Sequence, residues 1–268
     1  MIISKNELLS IKEFSRLSGI KQSTLRYYDE LGLFTPVKRG QNGYRYYSPQ
    51  QIITINSIHL LSELDMSIRK ISEIQSNRSP ELMFEVLSEK EDSLSAELLK
   101  LERSFNVVHT LKRMIQTGLG ANESIIETSY FESLPIVIGP LNDFKNSNNF
   151  YDTFLEFYAI SKQYRIDLRL PVGGMFEDFE TFSNNPSEPT YFFSVDPNGL
   201  DKRPSGKFVS AFQRGYYGET GDLVERMKKY ISDNDITTVG PVYNIFLHDE
   251  LSIDDPDCYL MHATVEVA

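Results

Sequence analysis

Leu87, Leu94, Leu101, Val108 and Ile115 recur every seven residues through the middle of the chain, and Leu98 and Phe105 fill the intervening positions of the same stripe. A heptad sustained that far predicts a long helix, because a repeat of 3.5 residues keeps its apolar side chains on one seam only when two helices wind round each other. Starting at Ser79-Pro80-Glu81, a helix of about forty residues would run about 60 Å, too long to bury its stripe inside one small domain. The chain is therefore expected to pair through this rod, over 79–118. Glu91 and Lys112 hold the seam positions flanking Leu98 and Phe105. An antiparallel pair sets the two opposite each other, which favours an antiparallel homodimer. The stretch TGLGANE, Thr117 to Glu123, ends the helix and predicts a linker at 119–123.

The rod separates two unlike ends. Residues 1–78 carry 11 Lys and Arg against 7 Asp and Glu, a net +4, whereas residues 124–268 carry 11 against 23, a net −12. The whole-chain net charge of −11 thus hides a basic module suited to an anionic polymer, tethered to an acidic one. At 268 residues the chain has room for two modest domains beside the rod. It has no apolar run long enough for a membrane span and no charged-then-apolar leader at its start, so a cytoplasmic protein is expected. A single cysteine, Cys258, gives neither an internal disulfide nor a thiolate metal spacing; no metal and no cofactor are expected.

Within 1–78, Ser10-Ile11-Lys12-Glu13 reads as a capping box, followed by an apolar face of Ile11, Phe14 and Leu17 and a stop at Gly19. Leu25, Tyr28 and Leu31 then fall at three-residue steps before Gly32, and two short helices across a glycine turn read as helix-turn-helix. Lys38 and Arg39 precede Gln41-Asn42-Gly43-Tyr44, where Asn-Gly favours a hairpin, the wing. Ser48-Pro49-Gln50-Gln51 predicts a third helix with proline at its first position, and Ser67 caps a fourth.

Arg26, Tyr27 and Tyr28 are consecutive on the second helix, so they cannot all face the core. Tyr28 shares the face of Leu25 and Leu31, Tyr27 points outward, and on the return strand Tyr46 reads as structural. Arginines and tyrosine hydroxyls suit phosphate oxygens. The segments TLRYYDELGLF, GYRYYS and SPQQI, with Pro36 between the first two, resemble the winged-helix domain of the MerR family of transcription regulators, and the long helix fits that family. The C-terminal part is more faintly similar to the GyrI-like effector domain of its multidrug-sensing, BmrR-like members. The resemblance implies a dimer on promoter DNA that distorts an over-long spacer when ligand binds, so that RNA polymerase engages both promoter elements. The implied activator reads shape through deformation energy. Arg26, Tyr27, Tyr28 and Arg45 match the family's DNA-contacting positions. Lys38 and Arg39 join them on the wing, and His59 stands where relatives often carry a lysine.

Beyond residue 124, alternating strands and two helical blocks occur in an order that repeats: a strand near 124–138, a helix near 149–162 and strands near 165–175 and 190–196; then a strand near 206–214, a helix near 220–234 and strands near 239–248 and 258–267. The fold class is α+β, with a duplicated strand-helix-strand-strand domain and a cleft between its halves. Tyr151, Phe154 and Tyr158 share a helical face, and with Tyr164 and Phe212 they suggest a half-open aromatic site for a lipophilic small molecule. In VYNIFLHDE, Asn244 and Phe246 share a side, as do His262 and Glu266 in YLMHATVEV; these polar-containing sides are expected to line the cleft. Where the resemblance implies a cation-neutralising glutamate this chain has Asn244, and a second family glutamate falls on His262. The counter-charge for a cationic ligand is then sought in Asp152, Glu156 or Asp167, or in ring stacking alone, and a neutral ligand stays open. Two rivals remain. A GyrI-like hydrolase would need a Glu and a Tyr converging, and Glu266 and Tyr243 are expected on opposite faces; a metal sensor lacks ligands.

Overall fold

The computed structural model describes residues 8–144, 150–161, 163 and 166–268, and the chain divides into two compact units, residues 1–98 and 99–268. In the first, strand β1 (Leu9–Ser10) leads into helix α1 (Ile11–Ser18). The capping box forms: Glu13 Oε2 accepts from the Ser10 amide at 2.9 Å and Ser10 Oγ accepts from the Glu13 amide at 3.3 Å. Gly19, at φ +76°, stops the helix in a backbone conformation that other residues adopt with strain. Helix α2 (Gln22–Glu30) follows, then the wing strands β2 (Lys38–Arg39) and β3 (Arg45–Tyr47). β1, which has too few residues to leave a pattern, pairs with β3 and makes the wing sheet three-stranded, in the order β1-β3-β2.

The core of this unit is aromatic at its centre. Tyr47 stacks on Phe14 at 4.6 Å and on Phe34 at 5.6 Å between ring centroids. The wing thus buries Tyr47, while Tyr46, the residue expected to be structural, stays half-buried; successive strand residues face opposite ways, and the core takes only one of them. Helix α3 (Gln51–Glu63) starts two residues beyond the expected proline, because the turn closed by the Gln51 amide on the Ser48 carbonyl at 3.0 Å precedes it. Helix α4 (Ile68–Ser76) is capped by Ser67, which accepts from the Lys70 amide at 3.3 Å. Helix α5 spans Pro80–Leu119, and Leu82, Met83 and Val86 of its first turns join the winged core.

In the second unit an eight-stranded antiparallel sheet is built from β4 (Ile126–Phe131), β5 (Leu134–Leu141), β6 (Val172–Phe176), β7 (Tyr191–Val195), β8 (Asp201–Arg203), β9 (Gly206–Arg214), β10 (Thr238–His248) and β11 (Leu260–Val267). Helices α6 (Phe150–Ile160), α7 (Phe179–Asn184) and α8 (Leu223–Asp233) complete it. The strand order is β4-β9-β11-β10-β6-β7-β5-β8. Taking β5-α6-β6-β7 and β9-α8-β10-β11 as two copies of one strand-helix-strand-strand unit, the order reads first-third-second, then second-third-first. The halves are therefore related by a pseudo-twofold axis between β10 and β6, which is the repeat expected from the sequence pattern.

Three details depart from that pattern. The single strand expected over 124–138 is two, β4 and β5, which lie toward opposite ends of the sheet order and part at Glu132-Ser133. The strand expected from 165 begins only at Val172, because the Asp167 carbonyl accepts from the Leu170 amide at 2.9 Å and turns the chain. Six-residue α7, capped by Asp178 on the Thr181 amide at 2.7 Å, is too short to show helical periodicity. Leu223, Val224 and Met227 of α8 and Phe182 of α7 cover one face of the sheet, over Val209, Ala211, Ala263 and Val265. Phe208, Tyr243, Met175 and Phe193 make a separate core on the other face.

Candidate nucleic-acid interface and ligand pocket

On α2 the expected division of tyrosines holds: Tyr28 is 4% exposed among Leu25 and Phe34, whereas Tyr27 is 51% exposed beside an outward Arg26. Lys38 on the wing is also exposed. Arg39 and Arg45 differ from the expectation of free phosphate donors. The carboxylate of Asp29, wholly buried at the end of α2, accepts from Arg39 Nη2 at 2.7 and 2.8 Å and from Arg45 Nε at 2.5 Å. A carboxylate out of water needs such partners, so the two arginines tie the wing to α2. Arg39 keeps half of its side chain in solvent, but Arg45 is largely covered. Asp29 was not singled out by sequence; it stands within YYDELG between Tyr28 and Glu30, where nothing marks it. His59 on α3 lies half-buried, with Nδ1 3.9 Å from Glu63 Oε1 one turn on.

A cavity of 690 Å³ opens in the second unit, walled by Phe154 and Tyr158 of α6, Phe192 of β7, Asn244 and Phe246 of β10, and Leu111 of α5. Its rings meet in an interlocked set: Phe154 contacts Phe192 edge-on at 5.3 Å and Tyr158 at 4.9 Å, and Tyr217 packs against Phe246 at 4.7 Å. Tyr217, Asp249 and Glu250 also line it. The Tyr217 hydroxyl donates to the Glu250 carboxylate; burial, then that bond, raises the phenol above its ordinary range. Burial also pushes the Asp249 carboxyl up. Arg169, the cavity's arginine, is held by Asp167, Nη2 to Oδ2 at 2.6 Å, and that bond lowers the Asp167 pKa. The amide oxygen of Asn244 is buried with no partner among the described residues.

The structure thus brings Phe154, Tyr158, Asn244 and Phe246 together. The Tyr151 side chain and Tyr164 lie outside the described residues. Phe212 and His262 are elsewhere, which corrects the expected lining. Asn244 pairs with Ala263 and Gly174, while His262 pairs with Ile245 and Phe212, and residues directly opposite in antiparallel strands share a face. His262 therefore faces away from the cavity, stacked on Phe212 at 4.5 Å with its Nε2 2.8 Å from Ser210 Oγ, and burial holds its pKa down to about 3. By the same register Tyr243 lies opposite Thr264, and so shares a face with Glu266 instead of opposing it. Neither lines the cavity.

Of the carboxylates considered for a counter-charge, Asp152 and Glu156 do not line the cavity and Asp167 is taken by Arg169. Asp249 and Glu250, unremarked by sequence reasoning, do line it; the signal was the acid pair closing VYNIFLHDE. No cluster of three or more His, Cys, Asp or Glu able to hold a metal occurs among the described residues. Among them, too, no helix is long and apolar enough to cross a membrane.

Comparison with known proteins follows the same division. Residues 9–78 match the family described as MerR HTH family regulatory protein. The chain is 26% identical over 247 residues to the Multidrug-efflux transporter 2 regulator of Bacillus subtilis, covering 90% of each chain. Residues 9–78 carry a MerR-type helix-turn-helix domain. Another relative, the transcriptional regulator BrlR of Pseudomonas aeruginosa, is 41% identical over 69 residues, 25% of this chain and 26% of that one. A solved EcmrR–DNA complex aligns over 97% of this chain and 99% of its own at 14% identity, with a TM-score of 0.38, too low to carry an argument.

Proposed function

We propose that this MerR-family regulator binds promoter DNA as an antiparallel homodimer and activates transcription by RNA polymerase when a lipophilic, aromatic small molecule fills the cavity beneath α6. Arg26, Tyr27 and Lys38 meet phosphates, with the outer edge of Arg39; the Asp29 clamp sets the wing's angle so that they do so together. Heptad residues Leu94, Leu98, Leu101, Phe105 and Val108 stand exposed along α5 and supply the pairing seam. Ligand makes the dimer distort an over-long spacer, and the deformation energy is offset by contacts on both flanks.

The observation that carries the ligand reading is the cavity itself: 690 Å³, inside the range of about 300–1,000 Å³ usual for drug-sized ligands, walled by rings and bearing the carboxyl groups of Asp249 and Glu250, which have no ion pair among the described residues. Asn244 supplies an oriented amide where a relative's carboxylate is implied, so the charge has moved to the end of β10. A diffuse organic cation stacks on Phe246 and Tyr217 with Glu250 as its counter-ion. The regulator has no catalytic role for Tyr243 and Glu266, which lie on the sheet face away from the cavity.

Crystal violet, a triarylmethane cation, and its neutral leuco form test this in promoter-directed transcription and equilibrium binding. Crystal violet should bind the full-length protein and raise transcription, and Glu250→Gln should weaken its binding about tenfold, equivalent to about 1.4 kcal/mol, leaving the leuco form unaffected. Equal weakening of both forms would refute the counter-ion, and no binding of either would refute the ligand reading.

A further inference from the structure

We infer that His248 on β10, seated between Ile115 and Gly118 near the end of α5, is the joint through which an occupied cavity acts on the pairing helix. This rests on the ligand reading above and goes beyond it, because a filled cavity does nothing for transcription unless its walls move something that reaches the winged unit. One helix does: α5 supplies Val86 to the winged core and Leu111 to the cavity wall.

The joint is tight where the ring meets the helix. His248 is 6% exposed, and its Nε2 lies 3.0 Å from the Ile115 carbonyl oxygen. A carbonyl only accepts, so Nε2 carries a proton and donates it. At that same edge the ring meets Gly118, where a Cβ would stand 2.5, 2.8 and 2.9 Å from Nε2 and the two carbons beside it. Glycine is disfavoured within a helix relative to alanine, and here the close approach of the imidazole accounts for it.

The strand that carries His248 is also the cavity's own strand. Asn244 and Phe246 line the cavity from one side of β10, the register shifts between Phe246 and His248, and Asp249, Glu250 and Leu251 line the cavity directly after. Glu250 is held by Tyr217, which packs on Phe246. A ligand that pushes Phe246 aside or draws Glu250 toward its charge displaces the backbone flanking residue 248. A ring already in contact with the helix has no slack to absorb that displacement. Packed contacts of this kind switch between discrete arrangements instead of deforming smoothly, and the ligand's differing affinity for the two arrangements supplies the driving free energy.

Gly118→Ala and His248→Ala test the joint in the full-length protein, with His248→Gln as a variant keeping a donor. Gly120→Ala is the control, since its Cβ would meet only the Thr117 carbonyl at 3.6 Å. Crystal violet binding, promoter binding and dye-dependent transcription are measured for each. Both disrupting variants should bind dye and promoter within about twofold of the unaltered protein, yet lose about tenfold or more of the dye-dependent rise in transcription, the size of a typical coupling. His248→Gln should recover part of the response, and Gly120→Ala should keep all of it. Full response in variants that still bind dye and promoter would overturn the joint and leave the ligand reading standing. Joint loss of dye and promoter binding in both variants would make the contact a mere structural pillar and overturn it as well. Failure of the unaltered protein to bind dye would instead refute the ligand reading, and the joint with it.

Discussion

At His262 the side chain is buried, stacked and bonded to Ser210, so the folded protein keeps it neutral. Its pKa falls from an ordinary 6.5 to about 3, through burial first and the charge of Arg203 second. Above pH 6.5 both folded and unfolded chains carry it neutral and nothing is lost. Below that value the unfolded chain takes up a proton that the folded chain refuses, so stability declines as pH drops, until about pH 3. For one proton the slope approaches about 1.4 kcal/mol per pH unit. His262→Gln, whose amide still reaches Ser210, should therefore flatten the fall in melting temperature between pH 7 and pH 5 relative to the unaltered protein. Identical slopes would mean that the imidazole takes up its proton in place. Strand alternation placed His262 correctly relative to its own neighbours. It could not say which side of β11 lies with which side of β10, since that is set by register, and register is a property of the pair. The same limit put Tyr243 and Glu266 on opposite faces.

Helices and strands differ in how much of themselves they declare. α5 announced its length, because a heptad repeat sustained that far has a single economical solution. α1 and α4 announced their starts through Ser10 and Ser67, whose hydroxyls do satisfy the amides that the spacing assigned to them. β1, β8 and α7 are too short to leave a period, and the bend at Glu132-Ser133 carries no glycine or proline to mark it. Asp29 was illegible for a different reason. Its burial depends on two arginines that are 10 and 16 residues away, and only the folded wing brings them in. The proposed seam of α5 yields a prediction at this scale. Phe105 is 67% exposed and stands at a central heptad position, so Phe105→Glu sets a charge against a leucine across an antiparallel pair and removes a large ring from the proposed interface. Sedimentation should show the variant as a monomer at concentrations where the unaltered protein is a dimer, with each unit's circular dichroism retained. A variant still dimeric would move pairing to another surface.

For the molecule as a whole, the uneven charge along the chain matters more than the sum. The winged end has to approach a polyanion while carrying a C-terminal domain of net −12, which repels the same duplex. At moderate ionic strength that repulsion reaches only about 8–10 Å, so raising salt relieves little of it, but it removes the gain from counterion release at every phosphate contact. The contacts win, and promoter affinity should fall steeply with salt. Arg26, outward on α2 beside Gln22, is proposed to make one such contact in each protomer. Arg26→Ala should then weaken binding to any sequence by a similar factor and reduce the log–log salt slope by about two per dimer. If it relaxed sequence preference and left the slope alone, Arg26 would be reading a base edge in the groove. The Asp29-held wing would then be left to supply the phosphate contacts through Lys38 and the exposed half of Arg39.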